Sequence, residues 1–361
     1  MSNNTYSRRQ FKQDFAKLLD NTFIPTNLSN QEAVRRYSEL FSFVEPHIPS
    51  QLYRFRQCSL DSILDFEQGR ISVCTANRFS DRYDSNIYYN YKTLDERMQI
   101  ASQQLLPQIL QAIKTNPSSF PSNPITIRVL QMIDAKDSDN AILDFLNTEI
   151  GKKATEWMAQ VEMQEQWPRD YSTTRIACFT ETVKSKFMWD AYAGGYTGFS
   201  LEYDFRNWRT LSIDNIPVCL FPVIYSSRKM DATEMIDRLS GQQYMRSFGV
   251  DESVLQAYTT AFPVDYLYWL KMFLYKDKVE YSHEKEWRIL ELPPFVPDEK
   301  RKEFSSIQDA GTLKAIYYGP EMEERYKAHL REVARKKGIL EFDVTLNRNS
   351  RKYELGVSRL K

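Results

Sequence analysis

Strand-like segments lie on both sides of a long helical stretch, and they do not alternate with helices in a regular order. Early in the chain, Leu52–Phe55 and Ile71–Cys74 have the short apolar pattern of strands. Comparable segments return after residue 170, including Arg175–Thr180, Val218–Tyr225 and Leu313–Tyr318, and a helix is predicted over Val264–Lys276. Because a doubly wound parallel sheet requires regular alternation of strand and helix, the pattern favours an α+β fold.

The helical stretch covers residues 93–170. Met98, Leu105 and Ile109 follow one face of a helix, and a second face begins near Ile142. We therefore predict a helical insertion over residues 93–170. It would interrupt an α+β core domain made of residues 51–92 and 171–361. Residues 1–50 are predicted to form a helical lead-in.

The composition narrows the class of protein. The 361 residues contain 48 basic and 48 acidic side chains, so the chain as a whole has no polyanion-binding signature. The four cysteines and three histidines are widely spaced, which disfavours a structural metal site. The first residues are polar, and no apolar run approaches the roughly 20 residues needed to span a bilayer. We expect a cytoplasmic protein that does not enter the membrane.

Two acids stand at the start of a late apolar segment. Glu284 and Glu286, separated by Lys285, lead directly into Trp287–Leu292. An acid immediately before a buried strand requires a physical reason, because an unpaired buried charge is costly. The simpler alternative is a pair of surface glutamates beside a buried Trp287.

Five short sequence words carry a family resemblance. In chain order they are Tyr53-Arg54, Arg78-Phe79-Ser80-Asp81-Arg82-Tyr83-Asp84, Cys178-Phe179-Thr180-Glu181, Met188-Trp189-Asp190-Ala191-Tyr192 and Glu284-Lys285-Glu286-Trp287-Arg288. In this order they resemble the bacterial family catalogued as domain of unknown function 2971. The resemblance covers about residues 51–92 and 171–320, and the chain departs from the family pattern at Ser80 and Arg82. The family's name assigns no activity.

The order of these words is also similar to that of ADP-ribosyltransferases. This second resemblance implies a split mixed or antiparallel sheet with flanking helices, and NAD as the substrate. It implies that Glu286 is catalytic and stabilises an oxocarbenium-like transition state, and that Arg54 is catalytic and holds NAD. The other residues it implies as NAD-binding are Tyr53, Thr180, Trp189, Tyr192 and Glu284. We expect Arg54, Thr180, Trp189, Tyr192 and Glu286 to converge on one cavity.

Each of these residues also has a structural interpretation. Arg54 could pair with an internal acid such as Asp84 or Glu181. Trp189 and Tyr192 are three residues apart on a short helix, where packing in the core is common. Thr180 could satisfy a backbone group at the end of its strand.

The leading hypothesis is an NAD-dependent ADP-ribosyltransferase or NAD-cleaving enzyme in a bacterial toxin or phage-defence role. Its partners would be NAD, a protein or nucleic-acid acceptor, and a partner protein bound through residues 93–170. One rival is a non-catalytic module that binds a nucleotide or a partner. The other is a nucleic-acid-processing enzyme that binds magnesium through acids such as Asp81, Asp84, Glu284 and Glu286.

The end of the chain is locally basic. The basic side chains are Arg335-Lys336-Lys337, and Arg348, Arg351 and Lys352 after the strand-like Leu340–Leu346. These side chains could contact nucleic-acid phosphates. The alternative is the solvated face of a terminal helix together with a charged hairpin.

Overall fold

The structure is a computed structural model that describes residues 7–120, 122–162, 174–213, 216–247, 251–291 and 304–360. Helices and a mixed sheet combine in an α+β fold. The helices are α1 Arg8–Asn21, α2 Asn30–Val44, α3 Leu60–Glu67, α4 Tyr91–Thr115, α5 Pro124–Asp134, α6 Asp139–Glu162, α7 Lys186–Ala191, α8 Thr233–Ser247, α9 Glu252–Ala261, α10 Leu267–Met272, α11 Lys278–Tyr281 and α12 Glu324–Lys337.

The strands form one large sheet and two small pairs. They are β1 Leu52–Arg56, β2 Arg70–Thr75, β3 Ile87–Tyr88, β4 Arg175–Thr180, β5 Phe199–Tyr203, β6 Ser212–Ile213, β7 Ile216–Pro222, β8 Ile224–Ser226, β9 Met230–Asp231, β10 Tyr275–Asp277, β11 Glu286–Glu291, β12 Phe304–Gln308, β13 Leu313–Tyr318, β14 Leu340–Leu346 and β15 Leu355–Arg359. The large sheet runs β11-β7-β6-β12-β2-β4-β1-β5-β13-β14-β15, and β11 also pairs with β4. Its pairings are antiparallel except that of β13 with β14.

Strand β4 is the junction of this sheet. The pairing of β4 with β11 closes a ring of six strands, and the remaining five strands extend from the other side of β4. Along that side, β4 pairs with β2 at Ile176 and with β1 at Thr180. Strands β1 and β2 therefore separate from each other along the length of β4.

Two apolar clusters hold the sheet. The larger includes Phe11 of α1, which stacks on Trp287 of β11 with ring centroids 6.1 Å apart. The predicted helical lead-in is therefore packed into the core of the sheet. The second cluster lies around Trp189 of α7 and includes Val344 and Leu355 of the β14–β15 hairpin.

Helices α4, α5 and α6 have a third apolar cluster of their own, with Leu110, Val129 and Leu146 among its buried members. The first turns of α4 contact the larger core through Leu94, and Arg97 forms ion pairs with Glu234 and Asp237 of α8. The separate cluster agrees with helices inserted between the strands. The division of the chain into domains remains a prediction, and residues 163–173 lie outside the described residues.

Some predicted elements differ from the structure. The predicted strand Val218–Tyr225 is two strands, because the chain leaves β7 at Val223 and β8 pairs with β10 instead of β11. The predicted helix Val264–Lys276 is limited to α10, since Lys276 belongs to β10. In the described part of the chain, no helix is long and apolar enough to cross a membrane.

Candidate functional site

A cavity of about 420 Å³ opens where β1 and β2 separate beside β4. Its volume is within the range of roughly 300–1,000 Å³ that is typical of small-molecule sites. Arginines from β1 line one part, and acidic side chains from β11 and the turn before it line another. Helix α7 contributes Met188 and Ala191, and Tyr192 follows at its end.

The turn before β11 directs two acids into this cavity. Glu284 ends a short 3₁₀ turn, Lys285 has the left-handed backbone φ of 49°, and Glu286 begins β11. A left-handed non-glycine residue is uncommon and has to be held by its surroundings. Here Thr180 Oγ1 donates to the carbonyl of Glu284 at 2.5 Å, and the backbone N–H of Glu286 donates to the Tyr225 hydroxyl at 2.7 Å. These bonds fix the turn from both sides of Lys285.

Arg288 links Glu286 to Asp84. Its guanidinium donates to both oxygens of Asp84, at 2.9 and 2.5 Å, and through Nε to Glu286 Oε1 at 2.8 Å. A further bond at 2.8 Å reaches the carbonyl of Phe273. Arg288 is fully buried, so its charge depends on these partners. The arrangement ties the loop containing Asp84 to β11.

Lys276 of β10 connects the two glutamates. Its Nζ donates to Glu284 Oε2 at 2.7 Å and to Glu286 Oε2 at 3.0 Å. The hydroxyl of Tyr192 donates to the other oxygen of Glu284 at 3.0 Å. Glu286 therefore has two cationic partners, whereas Glu284 has one cation and a phenol.

This difference in partners separates the acidities of the two carboxyls. Burial acts to raise the pKa of Glu286, but the charges of Arg288 and Lys276 outweigh it and hold that pKa below its usual range. Burial and the nearby charge of Glu286 raise the pKa of Glu284. Glu286 is thus held as a carboxylate, and Glu284 is the group better suited to exchange a proton.

Guanidinium groups dominate the β1 side of the site. Arg54 Nη2 donates to Ser72 Oγ at 3.3 Å, and Arg56 donates to Ser72 Oγ and, at 3.3 Å, to Asp65. Asp65 also pairs with Arg70 at 3.2 Å. Arg54 Nη1 is buried and has no hydrogen-bond partner among the described residues. Burial, followed by the charge of Arg54, lowers the pKa of Arg56 to about 10.

Most of the residues predicted for the site do line the cavity: Tyr53, Arg54, Thr180, Tyr192, Glu284 and Glu286. The predicted pairing of Arg54 with Asp84 or Glu181 is not found: Asp84 binds Arg288, and Glu181 accepts from Trp287 Nε1 at 2.8 Å. The hydroxyl of Thr180 is used to hold the turn at Glu284, as in its structural interpretation.

Trp189 requires a correction. Its side chain is completely buried, its Nε1 donates to the Val183 carbonyl at 2.7 Å, and its ring packs edge-on against Phe55. It does not line the cavity, so it is not placed to stack on a ligand there. The ring of Tyr53, which does line the cavity, packs edge-on against Tyr317 with centroids 5.6 Å apart. The short helix turns Tyr192 toward Glu284 and Trp189 into the core.

Four cations that line the cavity were not among the predicted site residues: Arg56, Arg78, Lys276 and Arg288. Arg56 and Arg288 each lie two residues beyond a predicted site residue, and the two-residue period of a strand was the signal for them. Lys276 had no local signal, because its acidic partners depend on the pairing of β10 with β8.

The acids of the predicted magnesium site are engaged in other contacts. Asp84, Glu284 and Glu286 all lie within ion-pair distance of Lys276. Among the described residues, no group of three or more His, Cys, Asp or Glu side chains is arranged to hold a metal ion. The cluster is therefore arranged as a set of buried ion pairs.

Comparison with known proteins supports one family. No curated protein and no solved structure matches the chain. Residues 188–289 match the model of a family described as a protein of unknown function, DUF2971. The matched segment contains Tyr192, Lys276, Glu284, Glu286 and Arg288, and so covers the acidic side of the cavity. This match supports the DUF2971 resemblance, and it contains the words Met188–Tyr192 and Glu284–Arg288.

Proposed function

We propose that the protein binds NAD in this cavity and cleaves the nicotinamide–ribose bond, passing ADP-ribose to a macromolecular acceptor or to water. The observation that carries the proposal is the placement of Arg54 and the Glu284–Glu286 pair on one cavity of about 420 Å³. The proposed fold is ADP-ribosyltransferase-like. The separation of β1 from β2 beside β4 supports it, as does the pairing of the Glu286 strand with the Thr180 strand.

The β1 side of the cavity suits the diphosphate of NAD. Arg54 and Arg56 line the cavity, and Arg56 shares its carboxylate partner Asp65 with Arg70, which leaves positive charge in excess on this side. The free Nη1 donor of Arg54 is a buried group that gains from an added acceptor. A guanidinium binds phosphate oxygens well because its donors are planar and permanently charged.

The β11 side suits the ribose of the nicotinamide nucleotide. Breaking the nicotinamide–ribose bond builds positive charge on the sugar, and a fixed carboxylate stabilises that charge selectively in the transition state. Glu286 meets this requirement because its pKa is held low by Arg288 and Lys276. Those two cations also fix its position, so little reorganisation accompanies the reaction.

Glu284 is assigned the proton transfer. Its raised pKa and its hydrogen bond from Tyr192 fit a group that accepts a proton from the acceptor or from water. The nicotinamide leaves with the electron pair of the broken bond, and the acceptor oxygen or nitrogen bonds to the same sugar carbon. The two glutamates thus have different roles that follow from their different partners.

The experiment is the measurement of nicotinamide released from NAD by the purified protein, by chromatography, with EDTA present and with magnesium present. We expect release under both conditions. Strand cleavage of nucleic acid that requires magnesium, without nicotinamide release, would support the metal-dependent rival instead. Absence of both activities, with tight binding of a nucleotide, would support the non-catalytic module.

Arg54→Met tests the assignment of the β1 side of the cavity to the diphosphate of NAD. It removes the guanidinium but keeps an apolar chain, and we expect a higher KM for NAD because the diphosphate loses its partner. The matched control is Arg331→Met on α12, which removes another half-buried guanidinium, one that pairs with Glu341. An unchanged KM in Arg54→Met would contradict the assignment. A toxin or phage-defence role for such an NAD-consuming activity, and a cytoplasmic location, remain predictions.

A further inference from the structure

The tip of the β14–β15 hairpin lies next to the start of α7. Lys186 Nζ is 5.1 Å from the centroid of the Tyr353 ring. At the base of the hairpin, Leu355 belongs to the same apolar cluster as Trp189, and Met188 packs against that cluster and lines the cavity. We define the rim surface as residues 184–187 and 347–354. It adjoins the side of the cavity formed by α7.

The rim surface is strongly basic, although the whole chain carries no net charge. Its acidic side chain is Glu354, which accepts a hydrogen bond from Ser350 at 3.1 Å. Against it stand five exposed basic side chains: Lys184, Lys186, Arg348, Arg351 and Lys352. A local excess of four positive charges, five minus one, favours a polyanionic partner.

Two aromatic rings are exposed among these charges. Tyr353 is 94% exposed, so its ring contributes almost nothing to the core. Phe187 is 43% exposed, with its ring edge-on to His283 at 4.5 Å between centroids and 6.2 Å from Tyr192, which lines the cavity. Phe187 therefore connects the rim surface with the residues beside Glu284.

We propose that the rim surface binds single-stranded nucleic acid. Exposed rings that alternate with Lys and Arg provide both contacts such strands use, since bases stack on the rings and phosphates pair with the cations. A single strand can also turn one nucleotide toward the cavity, whereas the bases of a duplex are stacked inside it.

The proposal extends the proposed function by naming the acceptor class, and in that respect rests on it. A nucleotide held at Phe187 would lie beside Tyr192 and Glu284. In the transfer, the nicotinamide–ribose bond breaks and nicotinamide leaves with its electron pair. A nucleophilic oxygen or nitrogen of the nucleotide forms the new bond to that sugar carbon, and its proton passes to Glu284.

Binding of a fluorescein-labelled 12-nucleotide DNA or RNA strand, measured by fluorescence anisotropy with the full chain, tests the proposal. We expect affinity to fall steeply with salt, with a slope of about −0.7 for each phosphate neutralised. The double variant Arg351→Glu/Lys352→Glu should reduce that slope. Tyr353→Ala should weaken binding about fivefold or more, through loss of stacking.

Lys17→Glu and Lys92→Glu, on α1 and α4, together make the same change of charge at exposed sites outside the rim surface and are the matched control. Equal loss of affinity in rim and control variants would overturn the proposal, as would binding of polyglutamate in preference to the nucleic acid. Nicotinamide release is measured in parallel. Release without strand binding overturns this inference alone, and strand binding without release overturns the proposed function and leaves the binding surface in place.

Discussion

Glu286 belongs to a buried group of five charged side chains, and its role depends on their balance. Asp84, Glu284 and Glu286 supply three negative charges, while Lys276 and Arg288 supply two positive charges. Neutralising one glutamate leaves two charges of each sign, so no buried cation loses all of its partners. Removing Arg288 would instead leave three acids with one cation, which is costly for a fully buried group.

The first prediction for a single residue is that the Glu286→Gln variant folds normally but releases nicotinamide slowly. The amide keeps the size of the side chain and removes the charge that stabilises the oxocarbenium-like state. We expect the rate of nicotinamide release to fall by about two to three decades, equivalent to ~2.7–4 kcal/mol, with a much smaller change in NAD affinity.

The control for this variant is Glu280→Gln, an exposed acid on the neighbouring helix α11. Its rate should equal that of the wild-type protein. Full activity in Glu286→Gln, with a normal melting temperature for both variants, would mean that Glu286 is structural.

A second prediction concerns pH. The Tyr192 hydroxyl bonds to the ionised form of Glu284 and so lowers its pKa. Tyr192→Phe removes that bond, and the pKa of Glu284 should rise further. Because the base acts in its ionised form, the acidic limb of the kcat/KM profile should move to higher pH. Tyr196→Phe, which loses only a bond to the Lys186 carbonyl, is the control and should show no displacement. A limb that stays in place or moves to lower pH in Tyr192→Phe would contradict the assignment of Glu284.

At the scale of single elements, the turn into β11 determines where both acids point. Lys285 is exposed, so its side chain adds little, but its left-handed backbone aligns Glu284 with Glu286. The turn is also tied to β4 through Thr180, and β4 pairs with β11 from Glu286 onward. A substitution that changes the backbone preference of Lys285 should therefore displace Glu284 and Glu286.

Two substitutions at Lys285 separate backbone from side chain. Lys285→Val places a β-branched residue in the left-handed region and should destabilise the fold by about 1–2 kcal/mol while slowing nicotinamide release. Lys285→Gly also removes the charged side chain but accepts that backbone freely, so it should keep stability and rate close to wild type. Urea unfolding and the NAD assay report the two quantities. Equal losses in both variants would show that the lysine side chain itself matters.

Helices α4–α6 have their own buried cluster, and this makes them separable in principle. Val129→Asp places an unpaired charge at a fully buried position of that cluster. We expect loss of hydrogen-exchange protection in α5 and α6, while β4 and β11 stay protected and nicotinamide release continues. Release that is lost while the strands remain protected would mean that these helices help to build the site.

The strands at the centre of the site were predictable from sequence, because β1, β4 and β11 have short apolar patterns with clear limits. The closing of a ring through β4 and β11 was not, since it depends on which distant strands pair. The same reason explains Lys276, whose residue type and polar surroundings suggest an exposed side chain. Trp189 shows a further limit: helical spacing places it near Tyr192 but does not say which ring faces the cavity.

On the scale of the whole molecule, a sheet that divides at β4 creates a space between charges of opposite sign. Guanidinium groups lie on the side of β1, and the carboxyls of Glu284 and Glu286 lie on the side of β11. Both sides depend on β4, which pairs with β1, β2 and β11. A ligand would fit this division of charge if it has an anionic group at one end and, at the other end, a group that becomes cationic during the reaction.

The most direct measurement is the crystal structure of Glu286→Gln with NAD, since the slow variant should retain the intact substrate. The diphosphate should lie on Arg54 with an oxygen at the free Nη1, and the nicotinamide ribose should lie against position 286 and Glu284. NAD bound away from this cavity, or reversed within it so that the diphosphate faces Glu284, would contradict the assignment of the two sides.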